Sequence, residues 1–108
     1  MVAQRVLKFD IEGDEVDVPI RIHLPIQKDD HRQCDYEIGW PTAVRRSAAR
    51  GIDSVQSLLI AMQKIGAEIY TSAAHRSGKL KWERRGGGYG FPLHSGIHDL
   101  HEGDDKSM

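Results

Sequence analysis

Apolar and polar positions alternate through the first half of the chain. One apolar series occupies alternate positions in residues 7–11, and a second occupies five alternate positions in residues 16–24. A period of two is typical of strands with one buried face, and the polar run around Gly13 favours a turn between them. The two series therefore predict a β-hairpin. Pro19 cannot donate to a strand ladder, so we expect it at a sheet edge or a bulge.

Three further segments have strand patterns. Residues 34–38, "CDYEI", alternate clearly, with Cys34, Tyr36 and Ile38 on the apolar side. Residues 43–50 form a weaker pattern because they contain few β-branched side chains, and residues 79–83, "KLKWE", form a last short strand. Residues 24–33 are polar and contain a proline, which predicts a loop.

The segment after Gly51 has a helical pattern. Asp53 is a good N-cap residue, and Gln56 three positions later completes a variant of the capping box. Apolar residues then recur at helical spacing, and Gly78 is the predicted end of the helix. The predicted apolar stripe consists of Val55, Leu58, Leu59, Met62, Ile65 and Ile69.

These elements predict a two-layer α+β sandwich. An antiparallel sheet of four to five strands carries one long amphipathic helix on one face, because each strand and the helix is apolar on one side only. The other face of the sheet is polar. We expect a single domain over residues 1–92 and a disordered tail rich in His and Asp over residues 93–108.

Two of these segments resemble a known family. The strand with Tyr36 and Ile38 and the start of the helix are similar to small uncharacterised bacterial proteins that carry a single domain of unknown function. The helix-start residues that carry the resemblance are Gly51, Ile52, Asp53, Ser54, Gln56, Ser57 and Leu58. Ser57 stands where the family pattern favours alanine. The resemblance implies the same α+β fold and brings no activity, cofactor or partner with it.

Composition and charge narrow the function classes. The chain has 108 residues, a formal net charge of -1 and one cysteine. We expect a cytoplasmic protein without a signal peptide or membrane span, because the N-terminal residues are interrupted by charges and no apolar run is long enough. Residues 1–38 hold nine acidic and five basic residues, whereas residues 43–85 hold three acidic and nine basic. This asymmetry favours a charged partner or self-association.

No motif brings a nucleophile together with a base, and none forms a metal cage or a cofactor-binding loop. Cys34 alternates with core positions and is expected to be a buried hydrophobe. His94, His98 and His101 have the spacing of metal ligands on a helix, but Ser95 and Gly96 disfavour a helix there. We therefore expect a non-enzymatic domain with no cofactor and no functional metal site.

The glycine-rich stretch "ERRGGGYGFP", residues 83–92, is open to two interpretations. Arg84 and Arg85 with nearby lysines suit phosphates, and Trp82, Tyr89 and Phe91 suit stacking on bases, which together favour nucleic-acid binding through residues 79–85. The favoured interpretation is a flexible exit from the last strand. In it, the aromatic residues attach the stretch to the domain edge.

The polar face of the sheet is the expected functional surface. Its dense charge is typical of a protein-docking face as well as of plain solvated surface. The candidate binding residues are Arg21, His23, Asp35, Glu37, Lys81, Arg84 and Arg85. The expected function is an accessory or immunity-type factor that binds another protein or a second copy of itself. Nucleic-acid binding is the first alternative, and an enzyme or binder of small molecules is the second.

Overall fold

The computed structural model describes residues 1–82 and 88–92. The fold is α+β, an open antiparallel sheet with one long helix packed on one face, which confirms the predicted fold class. The described strands are β1 (Ala3–Ile11), β2 (Asp14–Ile22), β3 (Ile26–Gln27), β4 (Arg32–Gly39), β5 (Val44–Gly51) and β6 (Leu80–Lys81). The helices are α1 (Ser54–Tyr70) and α2 (Ala73–Arg76).

Strand β4 is the organising strand of the sheet. β5 pairs with it along its whole length on one edge, from Arg32↔Gly51 to Gly39↔Val44. On its other edge, β4 pairs with β3 at Arg32 and Gln33 and with β2 from Tyr36 to Ile38. β1 pairs with β2, and β6 pairs with β1. The order across the sheet is therefore β5-β4-β2-β1-β6, with β3 beside the first residues of β4.

The predicted hairpin is confirmed. β1 and β2 pair from Ala3↔Ile22 to Ile11↔Asp14, and the turn between them consists of Glu12 and Gly13. Both turn residues have positive φ, 52° and 90°, which is the geometry of a two-residue hairpin turn that matches strand twist. Pro19 lies one residue before the first β2–β4 pair. At Pro19, strand β2 therefore pairs with β1 only, so the residue lies at a local edge of the sheet, as expected.

Two strand predictions need correction. Residues 24–33, predicted as a loop, contain β3, because Ile26 and Gln27 pair with β4 across a short turn closed by Lys28 N–H and the His31 carbonyl. That pairing is not visible in a two-residue pattern. The last strand is shorter than predicted. Among the described residues, Leu80 and Lys81 form the strand pairs with β1, and Glu83 lies outside this range.

The start of α1 follows the predicted capping. The Asp53 carboxylate accepts the Gln56 backbone N–H at 2.7 Å, and the Gln56 side-chain oxygen accepts the Ile52 backbone N–H at 2.7 Å. Gly51, the last residue of β5, packs directly beneath this turn. A Cβ atom on Gly51 would lie 2.5 Å from the backbone nitrogen of Ser57. The helix therefore begins in close contact with the end of β5.

The helix ends earlier than predicted. α1 stops at Tyr70, and Gly78, with a φ of 75°, follows the separate helix α2. The cause is a pair of hydroxyl residues. Thr71 Oγ1 donates to the Ala67 carbonyl, and Ser72 Oγ accepts the His75 backbone N–H, so Ser72 starts a new helix as an N-cap.

The buried stripe of α1 also differs from the prediction. Val55 and Leu59 are 74% and 46% exposed. Ile65 and Ile69 are buried, as predicted, but the row continues towards the helix start through the small residues Ser57 and Ala61. Because α1 packs on β4 and β5, and β5 presents Ala49 and Gly51 to it, a close approach needs small side chains there. Leu58 and Met62 are partly buried, as predicted.

Residues 88–92 complete the core. Tyr89 and Phe91 are 2% and 3% exposed and belong to the same core cluster as the strands and α1. Arg5 fixes this segment by donating from Nη1 to the carbonyl oxygens of Tyr89 and Gly90, at 3.0 and 3.1 Å. Gly90 has a φ of 78° and lies against Arg5 and Trp82. The aromatic residues thus attach the glycine-rich stretch to the domain, as the favoured interpretation predicts.

Candidate functional site

The sheet has one covered face and one open face. The helices and residues 88–92 lie on the face that carries the buried strand positions. No element within residues 1–82 and 88–92 covers the opposite side, which we call the open face. Its charged strand residues and their neighbours are Lys8, Asp10, Glu15, Asp17, Arg21, His23, Asp35, Glu37, Arg46, Arg50 and Lys81. Four of the predicted site residues, from Arg21 to Glu37, lie together on this face.

A charged row crosses three strands of the open face. Arg21 on β2 is in register with Glu37 on β4, which is in register with Arg46 on β5. Only 18% of the Glu37 side chain is exposed, against 75% of Arg46. One Glu37 oxygen is 3.1 Å from His23 Nε2, and the other is 3.7 Å from Arg46 Nε. The sheet thus holds a carboxylate between two basic side chains.

A broad recess of about 470 Å³ lies beside this row. Ala48 is in register with Asp35 in the next row, and its small side chain leaves the space unfilled. The Asp35 carboxylate accepts a hydrogen bond from Gln33 Nε2 at 2.9 Å. The recess is lined by His23, Asp35, Tyr36, Glu37, Arg46, Ser47 and Ala48. Its chemistry is that of charged and hydrogen-bonding groups arranged on a rigid sheet.

Two arginines beside the recess keep unused donors. Arg21 donates from Nε to the Gln4 side-chain oxygen at 3.3 Å, which is a neutral partner. Arg50 is exposed and forms no hydrogen bond or ion pair with another described residue. His31, by a hydrogen bond, and Arg50, by its charge, both lower the pKa of the Asp30 carboxyl. Arg50 therefore acts on Asp30 through its charge, without a direct bond to it.

The remaining predicted site residues do not join this group. Lys81 pairs with Glu15 at 2.6 Å, and its strand partner on β1 is Lys8, four residues beyond Gln4. It therefore lies at the hairpin end of the open face, away from Glu37. Arg84 and Arg85 lie outside the described residues, as do the candidate metal ligands His94, His98 and His101. Within the described ranges, no three His, Cys, Asp or Glu side chains converge on a metal position.

Sequence reasoning did not assign Arg46 and Arg50 to the site. Alternation places Arg45 and Arg46 on opposite faces, but only the β4–β5 register shows which of them meets Glu37. Arg45 points to the covered side, where its Nε donates to Glu68 at 2.8 Å, and the Tyr36 hydroxyl donates to the same carboxylate. Burial, reinforced by this hydrogen bond, raises the pKa of Tyr36 to about 12. This cluster ties α1 to the sheet.

Cys34 lies in the core, as the alternation predicts. It is fully buried, and its Sγ donates to the carbonyl oxygen of His23 at 3.4 Å. Burial, and then the charge of Asp35, raises the pKa of its thiol. A buried and protonated thiol is a poor nucleophile.

The aromatic residues near the C-terminus are engaged within the domain. The Tyr89 hydroxyl and His75 Nδ1 share a hydrogen bond of 2.6 Å. Burial raises the pKa of Tyr89 to about 12. The Arg5 guanidinium lies 3.9 Å from the centre of the Trp82 ring and 5.0 Å from that of Phe91. Because Tyr89 and Phe91 are buried, neither ring is accessible for stacking on nucleic-acid bases.

A smaller cavity of about 180 Å³ opens between α1 and the sheet. Leu58 and Met62 line it from the helix, and Ile20 and Ile22 line it from β2. Its one charged lining residue, Arg5, is already bonded to the backbone of residues 89 and 90. The cavity is therefore an apolar gap in the core layer and offers no acid–base pair.

The described residues form a small α+β domain in which one face of the sheet is left uncovered. The chain belongs to the family described as Domain of unknown function (DUF6968), whose model matches residues 3–93. No curated protein and no solved structure matches the chain. In the described part of the chain, neither helix has the length and apolar character that crossing a membrane requires. The helix-start residues Gly51, Asp53 and Gln56 all have structural roles.

Proposed function

We propose that this domain binds another protein through the open face of its sheet and has no catalytic activity of its own. The observation that carries the proposal is the row of Arg21, Glu37 and Arg46, which is held in register across three strands and left uncovered. As part of the same proposal, the protein is a bacterial cytoplasmic accessory or immunity-type factor. That step rests on the family resemblance and on fold and size alone.

The row suits docking because the Glu37 carboxylate, like that of neighbouring Asp35, is already held by other side chains. His23 and Arg46 fix the Glu37 carboxylate, and Gln33 fixes the Asp35 carboxylate. Binding of a partner to this surface therefore costs less side-chain entropy than binding to a face of free lysines and glutamates would. Charges arranged in this way chiefly set partner choice and the rate of association.

The open face favours binding over catalysis. Its recess is broad and lies on the sheet surface, whereas catalytic pockets usually exclude water and shift the pKa of a nucleophile or base. On the open face the pKa of Lys8 is raised, but by its hydrogen bond to Asp17, and that lysine is paired and exposed. The Cys34 thiol and the Tyr36 and Tyr89 hydroxyls, whose pKa values are raised as well, are buried in the core. Their shifts follow from burial in the fold.

The test is capture of a partner with matched variants. Three tagged proteins are incubated with lysate of the native host. They are the wild type, an open-face variant with Arg21→Glu and Arg46→Glu, and a control with Arg76→Glu and Lys79→Glu. The two variants change the net charge equally, but the control residues lie around α2 and β6. We expect one stoichiometric protein with wild type and control that is lost from the open-face variant. Equal capture by all three would show that the open face is solvated surface only.

Thermal melting of the three proteins is the accompanying control. The substituted side chains are exposed or half-exposed, so we expect melting temperatures within a few degrees of each other. Loss of capture then reports on the surface and not on unfolding. Nucleic acid in the eluate, released by salt, would support the alternative function through residues 79–85.

A further inference from the structure

The open face also indicates the chemistry of the partner. We propose that the partner presents an acidic segment, which seats across β2, β4 and β5 with its carboxylates on Arg21, Arg46 and Arg50. This inference rests on the proposed docking function and specifies it.

The carboxylates of this half of the face have partners within the domain. Glu37 is hydrogen-bonded to His23 and forms an ion pair with Arg46, and Asp35 accepts a hydrogen bond from Gln33. Glu37 is therefore compensated within the domain, whereas Asp35 keeps its charge, so that one uncompensated carboxylate stands among three arginines. Charges are also compensated at the hairpin end of the face, where Lys8 pairs with Asp17 and Lys81 pairs with Glu15.

The arginines, in contrast, have donors to spare. A guanidinium has five N–H donors. Arg46 makes one long ion pair, with its Nε 3.7 Å from Glu37, and Arg21 donates one hydrogen bond to the neutral amide of Gln4. Arg50 uses none of its donors within the described residues, as stated above. On balance the uncompensated charge of this half of the open face is thus cationic, three arginines against Asp35, and carboxylates are its natural complement.

The spacing of the arginines selects an extended partner over a small anion. Arg21 and Arg46 stand two strands apart, about 10 Å between their backbones, and Arg46 and Arg50 stand four residues apart, about 13 Å along β5. Since the three positions span both intervals, one phosphate or one carboxylate does not engage all three arginines at once. An extended acidic segment places carboxylates at such intervals.

The same half of the face disfavours a nucleic-acid strand. Asp35 and Glu37 lie between the arginines and would repel a continuous phosphodiester backbone, whereas a protein segment can place a neutral or hydrogen-bonding residue opposite them. Stacking would need accessible aromatic rings. Tyr89 and Phe91 are buried on the other side of the sheet.

The test uses a defined probe in place of the natural partner. The probe is a fluorescein-labelled peptide of alternating glutamate and serine, and its anisotropy is followed in low salt against the full-length protein. Matched probes are the same peptide with glutamine or with lysine in place of glutamate, and a single-stranded oligothymidylate of similar length. The proteins are wild type, the Arg21→Glu/Arg46→Glu variant and the Arg76→Glu/Lys79→Glu control.

We expect the glutamate peptide to bind wild type and control alike, and the open-face variant at least roughly tenfold more weakly, as loss of charge-assisted hydrogen bonds implies. The glutamine and lysine peptides should not bind measurably. The inference is overturned if the glutamate peptide does not bind, if the lysine peptide or the oligonucleotide binds more tightly, or if the open-face variant binds as well as wild type.

The two proposals can fail separately. If capture from lysate depends on Arg21 and Arg46 while the acidic peptide does not bind, the docking face stands and only the acidic chemistry of the partner is wrong. If the variant also captures its partner normally, the open face itself is excluded.

Discussion

Replacing Gly51 with alanine tests how the helix is seated on the sheet. The added Cβ atom would lie 2.5 Å from the Ser57 backbone nitrogen and 2.9 Å from the Gln56 carbonyl carbon. Both atoms belong to the first turn of α1, so relief requires the helix start to move and not a side chain to rotate. The capping hydrogen bonds of Asp53 and Gln56 are made in this same turn.

The size of the effect follows from two opposing contributions. Forcing an extra carbon into a packed site costs about 1–3 kcal/mol. Alanine also restricts the unfolded chain relative to glycine, which returns about 0.4–1 kcal/mol. We therefore expect Gly51→Ala to lower the free energy of unfolding by about 1–2 kcal/mol. In a domain of this size that corresponds to a fall in Tm of about 5–15 °C.

The assay is urea unfolding followed by circular dichroism, with Ile52→Ala as the control. Ile52 is the next residue and is 83% exposed, so its truncation should change stability by less than about 0.5 kcal/mol. If Gly51→Ala is as stable as wild type, the close contact between β5 and the helix start is wrong.

Three further predictions concern individual side chains. Asp53→Ala should cost about 1 kcal/mol in urea unfolding, and Asp53→Asn much less, because only the first removes the N-cap acceptor; equal losses would contradict the capping role. Cys34 should react with a thiol reagent only after denaturant is added, and rapid labelling of the native protein would show that it is not buried. The pKa of Tyr36 and of Tyr89 is raised to about 12, so the folded protein retains protons that the unfolded chain loses above about pH 10, and stability should fall as the pH rises from there towards 12. The urea midpoint at pH 8 and pH 11 measures this fall, and Tyr36→Phe should reduce it; a midpoint independent of pH would refute the argument.

Local pattern was sufficient for much of the fold. The period of two located β1, β2, β4 and β5, and the capping residues located the start of α1, since both signals lie within a few neighbouring positions. The buried stripe of α1 was mispredicted at Val55 and Leu59 for a non-local reason. The small residues Ala49 and Gly51 of β5 determine which side of the helix is buried. The sequence of the helix alone does not contain this information.

The candidate site was predicted in part for the same reason. Alternation grouped His23, Asp35 and Glu37 on one face. It did not reveal that Arg46 pairs across β4–β5 with Glu37, or that β1 and β2 separate Lys81 from them. Register and strand order join residues that are distant in sequence, so a single sequence does not determine them.

The affinity of the captured partner, purified and titrated by calorimetry, tests the docking proposal most directly. The titrated forms are wild type, Arg21→Glu/Arg46→Glu and the Arg76→Glu/Lys79→Glu control. We predict that the open-face variant raises Kd by roughly tenfold or more, and that the control leaves it within a factor of about two. A Kd unchanged in the open-face variant would contradict the account, because the partner would then bind elsewhere on the domain.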